Sequence, residues 1–589
     1  MGRAFRSLLA LAVLALALLR LAGSAVAQAP DDRAAVARDR RIAGLAASWR
    51  DEEITVGEVA ATTSMALAIA LVAFSAGGWG QPRRTEPRDR AASAWLIAGA
   101  AVLAWSVAVR FGLTQANILT DGGSGYTRLM RYVEGYGGIA VLVQLLPGEW
   151  SAFMWHAMLV PRMLAALAPA LLVWVARELN LGLGAALLAG VMLASLPVDA
   201  VLTSSDHLEG AMATLQLAGL AFVLAARRAE RVDLYAAGLA LAAWAMWCRP
   251  EGALGLLPIA PAALGFSRRW WTRPSVWVAN AALIALVLAR VYALATSSTT
   301  GLGGSGLAAM HDAWQTVASV APVVPVWVWL PAPFALLWLH RRAAMIVLAA
   351  LAAGVVPVYL RGLSGDPVGT HLETIRYGIP ALGSLALMSA VTLEACLGAL
   401  VKRVGWNDRW VRVALLTGIA ALPIVDREYL ARRYGHVASE AVIRRLFQQV
   451  PAGCAVAVPD DGPEGVDVEI AQRYGYIALE MAADGAIAPL TVLPASDLLD
   501  GRVDATACWT FLRGPYCYHG FDGHPAISCQ RIEERFALQE IATELVEFRH
   551  HRLVTGPDLQ RSPWYMPGMP ITLYRITGSR LAAPSAPAG

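Results

Sequence analysis

Apolar runs of about 20 residues, each long enough to cross the hydrocarbon core of a bilayer as a helix, recur between residues 60 and 425. A chain with this pattern has few ways to fold. Inside a bilayer every backbone N–H and C=O must find a partner within the protein, which a helix provides along its own length. A large soluble helical core is the competing solution, but it needs a polar coat. Only 16% of the 589 residues are charged and 57% are hydrophobic, against about 25% charged in ordinary soluble chains. The expected fold is mainly α: a polytopic transmembrane helical bundle of about 12 to 13 spans with a small C-terminal extracytoplasmic α/β domain.

The net charge of +4 says little, but the placement of the basic residues orients the chain, because Lys and Arg concentrate in cytoplasmic loops. Residues 1–27 have a basic start (Arg3, Arg6), an apolar stretch and a small-residue site at Ala25-Val26-Ala27. This is the pattern of a signal peptide or a signal anchor. Residues 28–90 form an extra N-terminal segment with one span, Val59 to Trp79, running inward to Arg83, Arg84, Arg88 and Arg90. Further spans are expected at 91–111, 155–176, 181–196, 208–226, 276–294, 322–339, 345–360, 379–400 and 411–425. The runs 234–247 and 252–266 are short, and Arg249-Pro250-Glu251 separates them, as in a re-entrant or tilted hairpin. Under one orientation Arg177, Arg227/Arg228/Arg231, Arg268/Arg269/Arg273, Arg341/Arg342 and Lys402/Arg403 all fall inside. The same orientation puts the chain beyond residue 425 outside.

Residues 426–589 have the composition of a water-exposed domain. Helices are expected at 441–450 and 470–483, and strands at 454–458, 507–512 and 571–576, the alternation of an α/β fold. Cys454, Cys508, Cys517 and Cys529 lie here. An oxidising compartment permits disulfides, and Cys517 with Cys529 is the expected pair, both sitting in a Gly- and Pro-rich loop. His519 and His524 lie between them, and a metal site there is the alternative, although the spacing fits no standard zinc pattern. Cys248 and Cys396 fall at membrane level and are expected to be packing thiols.

Charged residues gather in the outward loops: Asp121, Arg128, Arg131 and Glu134; Asp206, His207 and Glu209; Arg249 and Glu251; His311 and Asp312; Asp366, His371, Glu373 and Arg376. Singly, each reads as a solvated loop charge. Together, acids, bases and arginines at one membrane face suit chemistry on an anionic substrate.

The order of motifs resembles the GT-C superfamily of membrane glycosyltransferases, the polyprenyl-phosphate-sugar-dependent kind related to protein mannosyltransferases and aminoarabinose transferases. The first core span is followed by Asn117-Ile-Leu-Thr-Asp121-Gly-Gly-Ser-Gly-Tyr126, like that family's first outer loop. Leu193-Ala-Ser-Leu-Pro197 with Ser204-Ser-Asp206 resembles its proline-ended helix and polar loop. Cys248-Arg-Pro-Glu-Gly252 resembles its Arg-Pro-Glu-Gly turn, and Arg376-Tyr377-Gly-Ile-Pro380 its Arg-Tyr-x-x-Pro element. The likeness covers roughly residues 91–425. Gly122 stands where the family often has a second acid beside the loop-one Asp, and the N-terminal spans are additional.

The resemblance implies transfer of a sugar from a polyprenyl-phosphate-linked donor to an acceptor hydroxyl at the outer, periplasmic face, with inversion. Asp121 is the implied general base, and Arg376 and Arg249 bind the donor phosphate. Tyr126, Arg128, Asp206, His207, Glu251, His371, Glu373 and Tyr377 are the implied substrate pocket. No cofactor is expected, with a divalent metal the alternative. The partners implied are the lipid-linked donor, a lipid, glycan or protein acceptor, and membrane lipids, without nucleic acid. The expected location is a bacterial inner membrane. A glycan ligase or polymerase on a lipid carrier shares these features. A lipid or solute transporter would instead place ionisable residues near the midplane of several spans, and a scaffold would not depend on Asp121. The enzymatic reading requires Asp121 and Arg376 to share one wet cavity.

Overall fold

The computed structural model describes residues 56–76, 90–114, 138–139, 150–204, 208–296, 324–363, 376–425 and 436–459. Beyond these it describes 474–475, 477–478, 481–482, 485–503, 507–514, 517–518, 526–549 and 565–579. The chain divides into a membrane unit (Met1–Ala116, Arg128–Pro147 and Trp155–Arg432) and a second, C-terminal unit (Arg433–Gly589 with Asn117–Thr127 and Gly148–Met154). The expected signal segment 1–27 lies outside the described residues, as do His311, Asp312, Asp366, His519 and His524.

Among the described residues the membrane unit is helical: α1 (Val56–Ala76), α2 (Arg90–Val107), α3 (Trp150–Glu178), α4 (Leu183–Ser195), α5 (Pro197–Thr203), α6 (Glu209–Ala229), α7 (Val232–Cys248), α8 (Leu256–Ala263), α9 (Pro274–Thr296), α10 (Arg341–Leu363), α11 (Ile379–Val404) and α12 (Asp408–Val425). Among the described residues six helices are long and apolar enough to span a bilayer. A seventh forms if the bent pair α4–α5 counts as one span. Shorter apolar helices run over Thr62–Ala76, Val232–Cys248 and Val326–Leu337. The protein is thus a multi-pass membrane protein. Trp277, Ile284 and Leu288 on α9 are 60%, 58% and 61% exposed, a face that lipid, not water, can cover.

Close packing of α6 on α7 uses glycine on both sides. A Cβ on Gly219 would lie 2.9 Å from the Gly238 carbonyl oxygen, and one on Gly238 would lie 2.7 Å from that of Gly219. Without a hydrophobic drive between helices in lipid, small residues that let backbones approach supply the packing. The additional helix α1 belongs to the same bundle, packing on α7 and α9.

The basic clusters share one end of the bundle. Arg228 pairs with Glu178 at 3.7 Å, Arg273 with Glu230 at 3.5 Å, and a His340 ring nitrogen meets the Leu179 carbonyl at 3.3 Å. Arg231 donates to the Ser75 carbonyl at the end of α1. The 21 residues of α6 rise about 30 Å, so Glu209 at its start lies at the opposite end. The apolar run 181–196 ends at a break, where α4 and α5 meet at 59° across Leu196–Pro197, since proline cannot continue the ladder. Between the two short runs at 234–266 the chain forms α7, a 3-10 turn over Pro250–Gly255, and α8. Cys248 is buried as a packing thiol. Cys396 is exposed on α11, contrary to expectation, because its helix turns it away from the other helices.

The C-terminal unit is a five-stranded mixed sheet, ordered β2-β1-β3-β5-β4, of β1 (Ala455–Val458), β2 (Val492–Pro494), β3 (Trp509–Arg513), β4 (Phe536–Arg549) and β5 (Tyr565–Ser579). β1 is parallel to β2 and β3, while β5 is antiparallel to β3 and β4. Side chains alternate across the pleat. Val456, Val458, Leu512, Ile571 and Leu573 pack on α13 (His436–Phe447) and the helical segment around Tyr474 and Ile477. Ala457, Trp509 and Phe511 pack on α14 (Ala495–Leu499) and α15 (Ile527–Arg535). This is the expected small α/β domain. Its disulfides join Cys517 to Cys529, as anticipated, and Cys454 to Cys508, which ties the starts of β1 and β3 together.

Candidate active site

At the end of the bundle opposite the basic clusters, four buried side chains from three segments meet. Glu209 opens α6 and is fully buried. Arg249 follows α7 at 6% exposure. Arg376 and Tyr377, at 3% and 4%, precede α11. Arg249 has an extended backbone (φ −155°, ψ 148°), as the residue before a proline must. Its carbonyl accepts the Gly252 N–H at 2.9 Å, closing the turn. Only glycine fits at 252, because a Cβ there would run into the Ala245 carbonyl. Gln216 of α6 donates to the Gly252 carbonyl at 3.1 Å and holds the turn from the other side.

The two guanidinium groups converge on one carboxylate and one phenol. Arg249 Nη1 lies 3.2 Å and Arg376 Nε 3.3 Å from Glu209 Oε1. The Tyr377 hydroxyl accepts from Arg249 Nη2 at 3.1 Å and Arg376 Nη2 at 3.3 Å. Both guanidinium carbons also lie 5.1 Å from the Tyr377 ring centroid, within cation–π range. Arg249 Nε reaches Glu251 Oε2 at 3.4 Å, where Glu251 is 24% exposed. Two buried cations are thus held side by side. The arrangement is tolerable because a carboxylate bridges them and a π-face lies beside both.

A narrow cavity of about 70 Å3 opens among the helices that carry this cluster. Its walls are apolar, drawn from α3, α6, α10 and α11. Its lining includes Gly210, Gly255, Ile379 and Pro380, close in sequence to the charged residues. Asp199, Thr203, Gln216 and Ser384 are its polar members.

A second buried set stands beside it. After α2 the chain widens into a π-helical turn, Ala108–Leu113, of the kind that recurs at functional sites. Arg110 there is fully buried, donating to Ser106 Oγ at 2.7 Å and Thr203 Oγ1 at 3.1 Å and pairing with Asp199 of α5. Arg162 of α3 donates to the Arg110 and Thr114 carbonyls. This set fixes both the Leu196–Pro197 break and the end of α2, beyond which the chain runs on to Asp121. Thr203 lies against Gly210, so the two sets are neighbours.

Of the residues expected at the site, Arg249, Glu251, Arg376 and Tyr377 are brought together. Asp121, Tyr126, Arg128, Asp206, His207, His371 and Glu373 lie outside the described residues. Glu209 stood among the loop charges in the sequence without a role. Arg110, Asp199 and Arg162 went unremarked there, although an ionisable residue inside an apolar run is itself a signal.

No protein-family model matches the sequence, and no curated protein matches it significantly. Among solved structures, ArnT from Cupriavidus metallidurans in the apo state aligns with a TM-score of 0.50 at 13% identity, over 82% of this chain and 98% of that one. ArnT bound to undecaprenyl phosphate aligns with a TM-score of 0.45 at 15% identity over the same shares. Arabinosyltransferase EmbB from Mycobacterium smegmatis aligns with a TM-score of 0.36 at 13% identity, over 72% of this chain and 44% of that one. The likeness to apo ArnT is one of fold: the chain shares the architecture of that protein over most of its length.

Proposed function

With the GT-C fold as premise, we propose that this protein is a membrane glycosyltransferase that moves a sugar from a polyprenyl-phosphate-linked donor to an acceptor hydroxyl. The observation that carries the reading is the convergence of Arg249 and Arg376 on Tyr377 and Glu209 beside an apolar cavity. Two guanidinium groups match phosphate oxygens in geometry and charge, and an apolar slot between helices suits the first isoprene units of the tail. ArnT, with which the chain shares its fold, binds undecaprenyl phosphate, and a ligand of that class is part of the proposal.

In the proposed reaction Asp121 accepts the proton of the acceptor hydroxyl. The hydroxyl oxygen bonds to the anomeric carbon as the bond from that carbon to the phosphate oxygen breaks, through an oxocarbenium-like state. The electron pair leaves with the phosphate, and Arg376 and Arg249 stabilise the added charge. One displacement inverts the anomeric centre. Tyr126, Arg128, Asp206, His207, Glu251, His371, Glu373 and Tyr377 complete the pocket for sugar and acceptor.

The reaction is assigned to the extracytoplasmic face, in a bacterial inner membrane the periplasmic one. Two features support this. The basic clusters lie at the opposite end of the bundle, the end that faces the cytoplasm by charge. The C-terminal unit carries two disulfides, which persist in oxidising compartments.

The test is a transfer assay of the purified full-length protein against a panel of polyprenyl-phosphate sugars, with and without a chelator. Transfer from one donor, lost in Asp121→Asn and weakened in Arg376→Ala, is the expected result. Lipid movement without sugar transfer, or full activity in both variants, overturns the reading.

A further inference from the structure

Glu209 is an odd residue to find between two phosphate-binding arginines. It is fully buried and its Oε1 lies 3.2 and 3.3 Å from the two guanidinium groups. A fixed anion there holds the two cations together, but it also weakens their grip on a phosphate. The carboxylate satisfies part of the cation charge and repels whatever anion binds alongside. Among the described residues the fully desolvated part of the cluster carries two positive charges and one negative, with Glu251 at the rim.

Donor and product differ in charge. A sugar linked through a polyprenyl phosphodiester carries one negative charge, while the phosphate monoester released by transfer carries about 1.5 to 2 at neutral pH. Repulsion from a nearby carboxylate grows in proportion to the charge on the ligand. We propose that Glu209 trims the positive charge of the arginine pair, so that its preference for the dianionic monoester over the monoanionic phosphodiester is narrowed and product leaves without loss of donor. This inference rests on the reading that Arg249 and Arg376 hold the donor phosphate. It does not depend on other charges in the pocket, because it concerns only the difference that one carboxylate makes between two ligands.

A phosphate bound beside the guanidinium groups sits about 6 Å from the Glu209 carboxylate, and at an effective dielectric of about 20 removing that charge favours the extra ligand charge by roughly tenfold to a hundredfold. The experiment measures binding of undecaprenyl phosphate and of its methyl phosphodiester to the full-length protein in nanodiscs, at one pH. The quantity read is the ratio of the two affinities, with the wild type as the reference. In Glu209→Gln the monoester gains at least about tenfold relative to the diester, and added undecaprenyl phosphate inhibits transfer at correspondingly lower concentration. A merely structural role would weaken both lipids alike and leave their ratio unchanged.

A gain below about tenfold in Glu209→Gln overturns the proposal. Glu251→Gln, at the partly exposed rim, shifts the ratio the same way by a smaller factor if Glu209→Gln does not accumulate, and no shift there counts against the proposal. If neither lipid binds the wild type, or Arg249→Ala and Arg376→Ala leave both affinities intact, the phosphate-binding reading itself fails and takes the inference with it. That outcome is distinct from an unchanged ratio in a protein that binds both lipids.

Discussion

Replacing Tyr377 by Phe isolates the contribution of one oxygen atom to the arginine pair. The ring stays, and with it the two cation–π contacts at 5.1 Å. The hydroxyl that accepts from Arg249 at 3.1 Å and Arg376 at 3.3 Å is lost. A hydrogen bond to a charged group contributes about 1.5 to 3 kcal/mol. Both arginines retain Glu209, so the combined loss is placed at the low end, about 2 to 3 kcal/mol. If the phenol aligns the two guanidinium groups for phosphate, that energy appears in kcat/KM for the lipid-linked donor, a fall of roughly 30- to 150-fold. The assay is transfer at saturating acceptor with varied donor, beside a thermal melt in detergent to separate catalysis from folding. Tyr377→Ala removes the cation–π contacts as well, each about 0.5 to 2 kcal/mol, and falls further. Donor kcat/KM within about twofold of wild type in the Phe variant would refute the idea that Tyr377 positions the pair.

Other outcomes follow from the same geometry. Asp121→Asn reduces turnover by about 10²- to 10⁴-fold with membrane insertion unchanged, measured by single-turnover transfer. Gly252→Ala drives a Cβ into the Ala245 carbonyl and costs about 1 to 3 kcal/mol of overpacking, seen as a lower melting temperature together with weaker donor use, since the displaced turn carries Arg249. Asp199→Asn strands the buried Arg110 and destabilises the protein by about 3 to 5 kcal/mol, whereas an apolar pair at both positions recovers much of that loss, read from melting in detergent. Removing the Cys454–Cys508 bridge, which closes 54 residues, costs the C-terminal unit about 4 kcal/mol, against about 3 for the 12-residue Cys517–Cys529 bridge. Limited proteolysis ranks the two.

Much of the site was legible because its residues sit in short, ordered motifs. Arg249 and Glu251 flank a proline in a turn between apolar runs, and Arg376-Tyr377 precede the proline that opens α11. Glu209 had no such mark: an acid at the start of a helix is ordinarily a solvated residue facing the helix dipole. Its meeting with Arg249 and Arg376 depends on how three helices are rotated, which no local pattern encodes. In the C-terminal unit, β4 went unassigned because Ala537, Leu538, Gln539, Glu540, Ala542 and Glu544 are good helix formers. Pairing along the whole of β5 overrides that preference, as sheet context commonly does.

The membrane topology, the side on which basic residues gather and the α/β character of the C-terminal unit are properties of contiguous segments. Each is a sum of transfer and propensity energies over neighbouring residues, so the order of amino acids alone determines them. The meeting of Glu209, Arg249, Arg376 and Tyr377, the Arg110–Asp199 pair and the 59° break between α4 and α5 were decided only by tertiary structure. They are contacts between side chains distant in sequence, and burying such charges is tolerable only where helix packing has already brought the opposite charge within reach.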